Sequence, residues 1–467
     1  MGQVAVTSRT RPTWKVQARA TAAVLAVVLA LSPAAASAQG GRSVPIVRDA
    51  EAEALLSDYL RPILKAGGIS SPAVRIVPSD AFNAFVTGRG NMYVNVGTII
   101  QTETPNELIG VLAHETGHIV NDDIARLTQQ IDDTKAALLI ASILGVGVAA
   151  AGAATGSQTA GQAGSGILSG AGSIAERSLL TFRREQEAAA DRNAIKFLNA
   201  TGQSGAGMLA TMKRLSDQNL LLTQRVNPYL QSHPLPRERV IAIEALVAQS
   251  QFTGRRDSAD LQRRHDLVRA KLVGFTWSTD KAMRRYPLGD SSLPAKYARA
   301  IVAYRTGKPG PAQKQIDDLI KADPKNPYFL ELKGQSLLET GNPKVALAPL
   351  RKAVDLAPNA SIIKILLGQA LVAGDTAADA AEAIKMLSPA LQTEPDLSDG
   401  FRSLARAYAL QNNIPMAQLA TAQGLFADGK FDEARIQATR AQVKLKRGSP
   451  AWLRADDIVS YKPPKSR

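Results

Sequence analysis

"VLAHETGHIVNDD", residues 111–123, holds two of the four histidines in a chain of 467 residues. They stand four positions apart with a glutamate between them. On a helix, positions i and i+4 share a face, so His114 and His118 can aim both imidazoles at one ion. Glu115, one residue round the helix, reaches a water at that ion. The competing reading is a pair of surface histidines beside a solvated glutamate. With so few histidines in the chain, HExxH rarely arises by chance, and the metal reading is preferred. Cysteine is absent, which excludes disulfides, thiolate metal sites and cysteine catalysis.

Upstream, "TPNE" (104–107) supplies a Thr N-cap, a proline at the first helical position and a glutamate at the third. These open the helix that carries the histidines. Before it, "AFNAFVTGRGNMYVNVGTII" (81–100) alternates on both sides of Gly88-Arg89-Gly90, which predicts a hairpin. Met92, Val94 and Val96 share one face of its second strand. Strand 91–97 is predicted as the edge that takes up an extended substrate by main-chain hydrogen bonds. "EAEALLSDYLRPILKAGG" (51–68) has helical periodicity and stops at glycines. Residues 39–255 therefore read as one unit of mixed helix and strand.

No charged residue falls between Ala136 and Ala175. The first half is long enough for a membrane helix, but glycine and polar residues crowd the second. The preferred reading is a buried helix plus a mobile loop acting as a lid, with peripheral membrane contact and a true span as alternatives. Residues 256–290 read as a helical connector. From 291 to 467 the chain repeats: Ala312, Ala346, Ala383 and Ala417 are spaced by 34, 37 and 34 residues, as in tetratricopeptide repeats. One unit carries a three-residue insertion and the final pair is less regular. Such an all-α solenoid presents a concave groove to a protein or peptide. An ordinary helical bundle is the alternative.

Arg9, Arg11, Lys15 and Arg19 precede "TAAVLAVVLALS" (21–32), and a small-x-small site ends at Ala38. Residues 1–38 are thus expected to be a cleaved signal peptide, and the mature chain to be exported. No Arg-Arg pair and no cysteine after the site speak for Tat export or lipidation. The net charge of +15 suits solubility and anionic partners. Nothing in the chain reads nucleic acid.

A hydrolytic zinc needs a third protein ligand. His233, His265 and the carboxylates are the candidates, and Glu187 is preferred among them. In "RREQEAAADR" (183–192), Arg184, Glu187 and Asp191 fall on one helical face. There Asp191 can accept a hydrogen bond from a ligating imidazole. Alone, the stretch is also an ordinary charged amphipathic helix.

HExxH, then R-x-x-E-x-x-A-D, then H-P-x-x-x-x-R ("HPLPRER", 233–239) together resemble the gluzincin peptidase family of HtpX and the CAAX prenyl endopeptidases. With a leader and C-terminal repeats, the chain is most similar to that family's BepA-like periplasmic branch. The resemblance covers essentially the whole mature chain. It implies an α+β zincin-like domain, mostly helical with a small sheet, followed by the repeat solenoid. It implies His114, His118 and Glu187 as ligands of one zinc per chain, Glu115 as catalytic base and Asp191 as the imidazole's partner. It also implies a role in envelope protein quality control and outer-membrane protein assembly. Asn121-Asp122-Asp123 departs from the basic residues or histidine common in such relatives.

The expected activity is zinc-dependent cleavage of unfolded or misassembled envelope proteins in the periplasm, with the repeats docked to an envelope complex. Glu115 moves the proton from water to the leaving amine. Arg239 either stabilises the oxyanion or pairs with a carboxylate. His233, between prolines in a loop, is either a pocket residue or a regulatory fourth ligand that closes the site. The rival reading is a chaperone or assembly factor whose peptidase site is silent or normally closed.

Overall fold

The computed structural model describes residues 45–70, 74–88, 90–155, 158–221 and 228–463. The expected leader, residues 1–38, lies outside them. Helix α1 (Ala50–Ala66) is capped by the Asp49 side chain and ends at Gly67. Its apolar stripe of Leu55, Leu56, Tyr59, Leu60 and Ile63 is buried.

Three short strands follow: β1 (Val74–Val77), β2 (Ala84–Val86) and β3 (Met92–Asn95). The predicted hairpin forms, with β2 and β3 antiparallel and Phe85 stacked on Tyr93. The sheet order is β1-β3-β2, and β1 runs parallel to β3. This corrects the assignment of strand 91–97 as the substrate edge. Val74–Val77 occupies the far side of β3, so β3 is the central strand and both its hydrogen-bonding edges are used. Among the described strands, the outer side of β2 has no neighbour. Val96 is also not a strand residue, because it begins α2 (Val96–Gln101).

Helix α3 (Pro105–Val120) starts as its sequence predicts. Thr104 Oγ1 accepts from Glu107 N at 3.3 Å, and the Glu107 carboxylate accepts from Glu103 N at 3.1 Å. Every residue from Pro105 to His118 is buried, so α3 is enclosed on all sides.

Expected to be a buried helix and a mobile loop, the described residues of 136–175 instead belong to two long helices, α4 (Asp123–Thr155) and α5 (Gln158–Ala200). They run antiparallel, with Gln186 Nε2 of α5 donating to Asp123 O at the start of α4. Leu139, Ile140, Leu144 and Ile174 are exposed, so this hairpin is not core. Pairwise packing of the two helices outweighs the poor helix propensity of their glycines. Among the described residues, no helix is long and apolar enough to cross a membrane. Helices α6 (Ala206–Leu221), α7 (Pro228–Ser232) and α8 (Arg237–Ala248) complete this part.

Residues 256–290 contain α9 (Ala259–Thr276) and α10 (Thr279–Arg285), followed by α11 (Leu293–Arg305). Val268, Val273, Ala282, Ala298 and Val302 share one core with α1, β3 and α3. Packing therefore does not break at residue 255. Beyond lie α12 (Pro309–Ala322), α13 (Pro327–Glu339), α14 (Pro343–Leu356), α15 (Ser361–Ala373) and α16 (Ala377–Thr393). Four more helices follow, α17 (Ser398–Leu410), α18 (Ile414–Ala427), α19 (Phe431–Lys444) and α20 (Pro450–Ser460).

The repeat signature has a steric cause. A β-carbon on Gly334 would lie 2.3 Å from Leu350, and one on Gly368 would lie 2.4 Å from Leu387. These two repeats thus close their helix pairs by setting a leucine against a glycine. The three-residue insertion lengthens a helix, since α16 has 17 residues against 14 in α14.

The start of the described chain is held against the repeats. Ala50 packs with Leu330, Ala353 and Ile363. Lys271 Nζ lies 2.8 Å from Asp49, 3.2 Å from Glu331 and 3.6 Å from Glu51. Arg48 pairs with both Glu53 and Glu394.

Candidate metal centre

The two helices that carry HExxH and Glu187 meet at backbone contact. A β-carbon on Gly117 would lie 2.8 Å from Ala190 O, so only glycine lets α3 approach α5 this closely. That approach brings His114, His118 and Glu187 together, and the turn after α7 adds His233. All four are buried, and one donor atom from each lies within 4.8 Å of the others. His114 Nε2 is 3.1 Å from His118 Nε2 and 3.4 Å from His233 Nδ1. Glu187 oxygens lie 3.0 Å from His233 Nδ1, 3.4 Å from His114 Nε2 and 3.5 Å from His118 Nε2.

These separations test the metal reading. Four donors placed tetrahedrally about 2.0–2.1 Å from a common centre are about 3.4 Å apart. The measured edges cluster around that length. The far side of each α3 imidazole also faces a carboxylate. His118 Nδ1 is 2.7 Å from Asp123 Oδ2. His114 Nδ1 is 2.9 Å from Asp191 Oδ1, at ion-pair distance but off the line of a good hydrogen bond. Protons drawn to both Nδ1 atoms leave both Nε2 lone pairs directed at each other. A cation between them turns that repulsion into attraction. The donor set fits a metal ion.

The charges agree. Burial works against a charged His114, yet Asp191 and Glu187 push its pKa up to about 10. Burial would also raise Glu187, but His233, His114 and His118 hold it well below the usual carboxylate range. Asp191 is likewise held low, against its burial, by His114 and Arg239. The centre is a region of negative potential that draws positive charge.

Glu115 is fully buried beside this cluster, and neither carboxylate oxygen has a hydrogen-bond partner. A buried carboxylate left this way is costly to keep. Its nearest ionic neighbour is His233 Nε2, 3.6 Å from Oε1. Arg239 adopts the second of its two sequence readings. Nε and Nη2 clasp Asp191 at 2.8 and 2.9 Å, while Nη1 reaches Glu187 Oε2 at 2.8 Å and Pro234 O at 2.7 Å. So engaged, its guanidinium is directed at carboxylates and not at an oxyanion position.

His265 stands apart. Its Nε2 meets Thr102 O at 2.9 Å and its Nδ1 meets the Tyr59 hydroxyl at 3.2 Å, and burial pushes its pKa down to about 4. It is a core residue. Arg184 is exposed although Glu187 and Asp191 on the same helix are buried. Two residues of the site were not anticipated. Asp123 reaches His118 only because Asp122 takes a left-handed φ of 54° and folds the chain back. Tyr229 stacks on His233 at 4.7 Å and meets Phe82 edge-on, which ties the histidine turn to the segment that leads into β2.

Residues 46–247 match peptidase family M48, and residues 297–361 and 333–395 match the tetratricopeptide repeat. Over 427 residues the chain is 26% identical to the beta-barrel assembly-enhancing protease of Escherichia coli (strain K12), covering 89% of this chain and 83% of that protein. The protein of the same name from Yersinia pestis is also 26% identical, over 89% of this chain and 84% of its own. Protease HtpX of Shewanella denitrificans is 37% identical over 105 residues, which are 22% of this chain and 37% of that one.

Proposed function

From a metalloprotease in which tetratricopeptide repeats follow a peptidase family M48 domain, we propose an exported zinc endopeptidase that cuts unfolded or misassembled envelope proteins in the periplasm. Its repeats dock it to an envelope protein complex. The observation that carries this reading is the convergence of His114, His118, Glu187 and His233, one donor atom of each within 4.8 Å of the others, beside a Glu115 carboxylate that has no hydrogen-bond partner. Similarity to the beta-barrel assembly-enhancing protease of Escherichia coli supports the choice of substrate class.

His114, His118 and Glu187 would hold the ion, oriented by Asp191, Asp123 and Arg239. Zinc in this place would supply the positive charge that lowers the pKa of a water to about 7 and polarises the peptide carbonyl. Glu115 takes a proton from the attacking water and passes it to the departing amine. The outer side of β2 is the place for an extended substrate strand, which pairs through main-chain groups and so selects unfolded chain over particular side chains. Arg239 is a positioning residue that fixes the Asp191 and Glu187 carboxylates.

His233 favours a second, compatible reading. With three protein donors already present, a fourth occupies the position that water needs. The enzyme is then closed at rest and opens when the His233 turn moves, so the chain also serves as an assembly factor. Purified mature protein is assayed for metal content and for casein cleavage, alongside Glu115→Gln and His233→Ala. Zinc retained with cleavage lost in Glu115→Gln supports the endopeptidase. Faster cleavage in His233→Ala supports closure. Undiminished cleavage by Glu115→Gln would overturn the mechanism.

A further inference from the structure

Arginines hold the turn that carries His233 from both flanks. On one side Arg239 donates to Pro234 O. On the other, Arg183 of α5 donates Nη2 to Ser232 O at 2.8 Å and reaches Gln231 O at 3.4 Å. These are the last two carbonyls of the five-residue helix α7, which by position have no helical donor.

The two arginines are not equivalent. Arg239 also clasps Asp191 and Glu187, so any change there alters the metal donors themselves. Arg183 bonds the turn and makes no ion pair with a donor or with the carboxylates behind them. It lies four residues before Glu187 on the same helix, so the two share a face about one turn, ~5.4 Å, apart. One face of α5 therefore grips the turn's backbone through Arg183 and meets its imidazole through Glu187, 3.0 Å from His233 Nδ1. Toward its N-terminus, α5 continues away from the site as one arm of the α4/α5 hairpin, where Ile174 is exposed. Glu187 is fixed by Arg239 and the histidines, whereas Arg183 is partly exposed on the hairpin side of the cluster.

We propose that Arg183 is a positioning residue that keeps His233 inserted among the metal donors, so that the α4/α5 hairpin controls how often the site is closed. This rests on the reading of His233 as the closing ligand. Displacing the hairpin arm pulls Arg183 from Ser232 O before it disturbs Glu187. The turn is then held only on its Pro234 flank, and His233 leaves while the three-donor set stays intact.

The test uses full-length zinc-loaded mature protein and two readouts: the rate at which zinc passes to a chelator, and the rate of casein cleavage. Arg183→Ala is expected to raise both by about 3- to 10-fold, the effect of losing one partly exposed charged hydrogen bond. Arg183→Lys, which keeps one donor, is expected to restore much of the wild-type rate. In a His233→Ala background, Arg183→Ala is expected to change neither rate. Wild-type rates in Arg183→Ala, with both rates raised in His233→Ala, would overturn the latch and leave closure standing. An Arg183→Ala effect that persists without His233 would also overturn the latch. Unchanged rates in His233→Ala would overturn closure, and the latch with it. Arg183→Gln, closer in volume, guards against an effect of lost packing alone.

Discussion

Asp123 Oδ2 lies 2.7 Å from His118 Nδ1, brought there by the left-handed backbone of Asp122. The carboxylate fixes which imidazole nitrogen carries the proton and leaves Nε2 free to bind an ion. Asp123→Ala is expected to weaken metal affinity about 10- to 100-fold without unfolding the chain. Competition with a fluorescent zinc chelator measures this, and affinity equal to wild type would remove Asp123 from the centre.

The donor set predicts one zinc per chain in the purified protein, the stoichiometry of a single mononuclear site. Glu187→Ala is expected to lose most of it, because it removes the carboxylate from the cluster of donors formed by His114, His118, Glu187 and His233. Elemental analysis decides the point. Full zinc occupancy in Glu187→Ala would assign the third ligand elsewhere.

Lys271 is buried among three carboxylates contributed by the start of the chain and by α13. Lys271→Met removes the charge and leaves those carboxylates uncompensated, a loss of about 3–5 kcal/mol. Urea unfolding at neutral pH is the measurement.

Glu51 in the same cluster has its pKa raised to about 7, chiefly by burial, which Lys271 only partly offsets. Between the usual value of 4.5 and about 7, the folded chain holds a proton that the unfolded chain has released. The stability tied to that proton is complete below the usual value and is lost as pH rises through about 7. Glu51→Gln keeps an acceptor for the Tyr297 hydroxyl, which lies 3.0 Å from Glu51 Oε2. The variant is expected to flatten this part of the stability–pH curve and to be more stable than wild type at pH above 7. Parallel urea midpoints of the two proteins across that range test the sign.

Truncation probes the continuous core. Deleting residues 291–467 removes Ala298 and Val302 from the cluster that also contains α1 and α3. That variant is expected to aggregate or melt early, whereas a chain ending after α13 keeps α11 and Glu331 and is expected to melt higher. Thermal unfolding of both would show it, and equal melting would make the peptidase part independent of α11.

The histidine pair was legible because i,i+4 spacing fixes a shared face whatever the surroundings. The repeats were legible because close helix packing demands small residues at fixed intervals, as Gly334 and Gly368 show. Val74–Val77 was not, since a four-residue parallel strand acquires its meaning only from β3, 18 positions on in register. Missing it is what made β3 look like an edge. Asp123 escaped notice because its role depends on one backbone angle at Asp122. The 136–175 stretch misled because glycine content reads as loop, while a long antiparallel partner makes it helix. His233 and Arg239 were found as candidates, but only the folded arrangement distinguishes a carboxylate clasp from an oxyanion contact.

The pairing of Arg48 with Glu394 joins residues 346 positions apart. During synthesis, residues 45–53 are among the first described residues to be made, and they cannot complete their contacts until most of the repeats exist. Closing so long a loop costs conformational entropy before any contact compensates for it, which slows the last step of folding. Refolding from urea is accordingly expected to close late and slowly, and more slowly still when Arg48 is replaced.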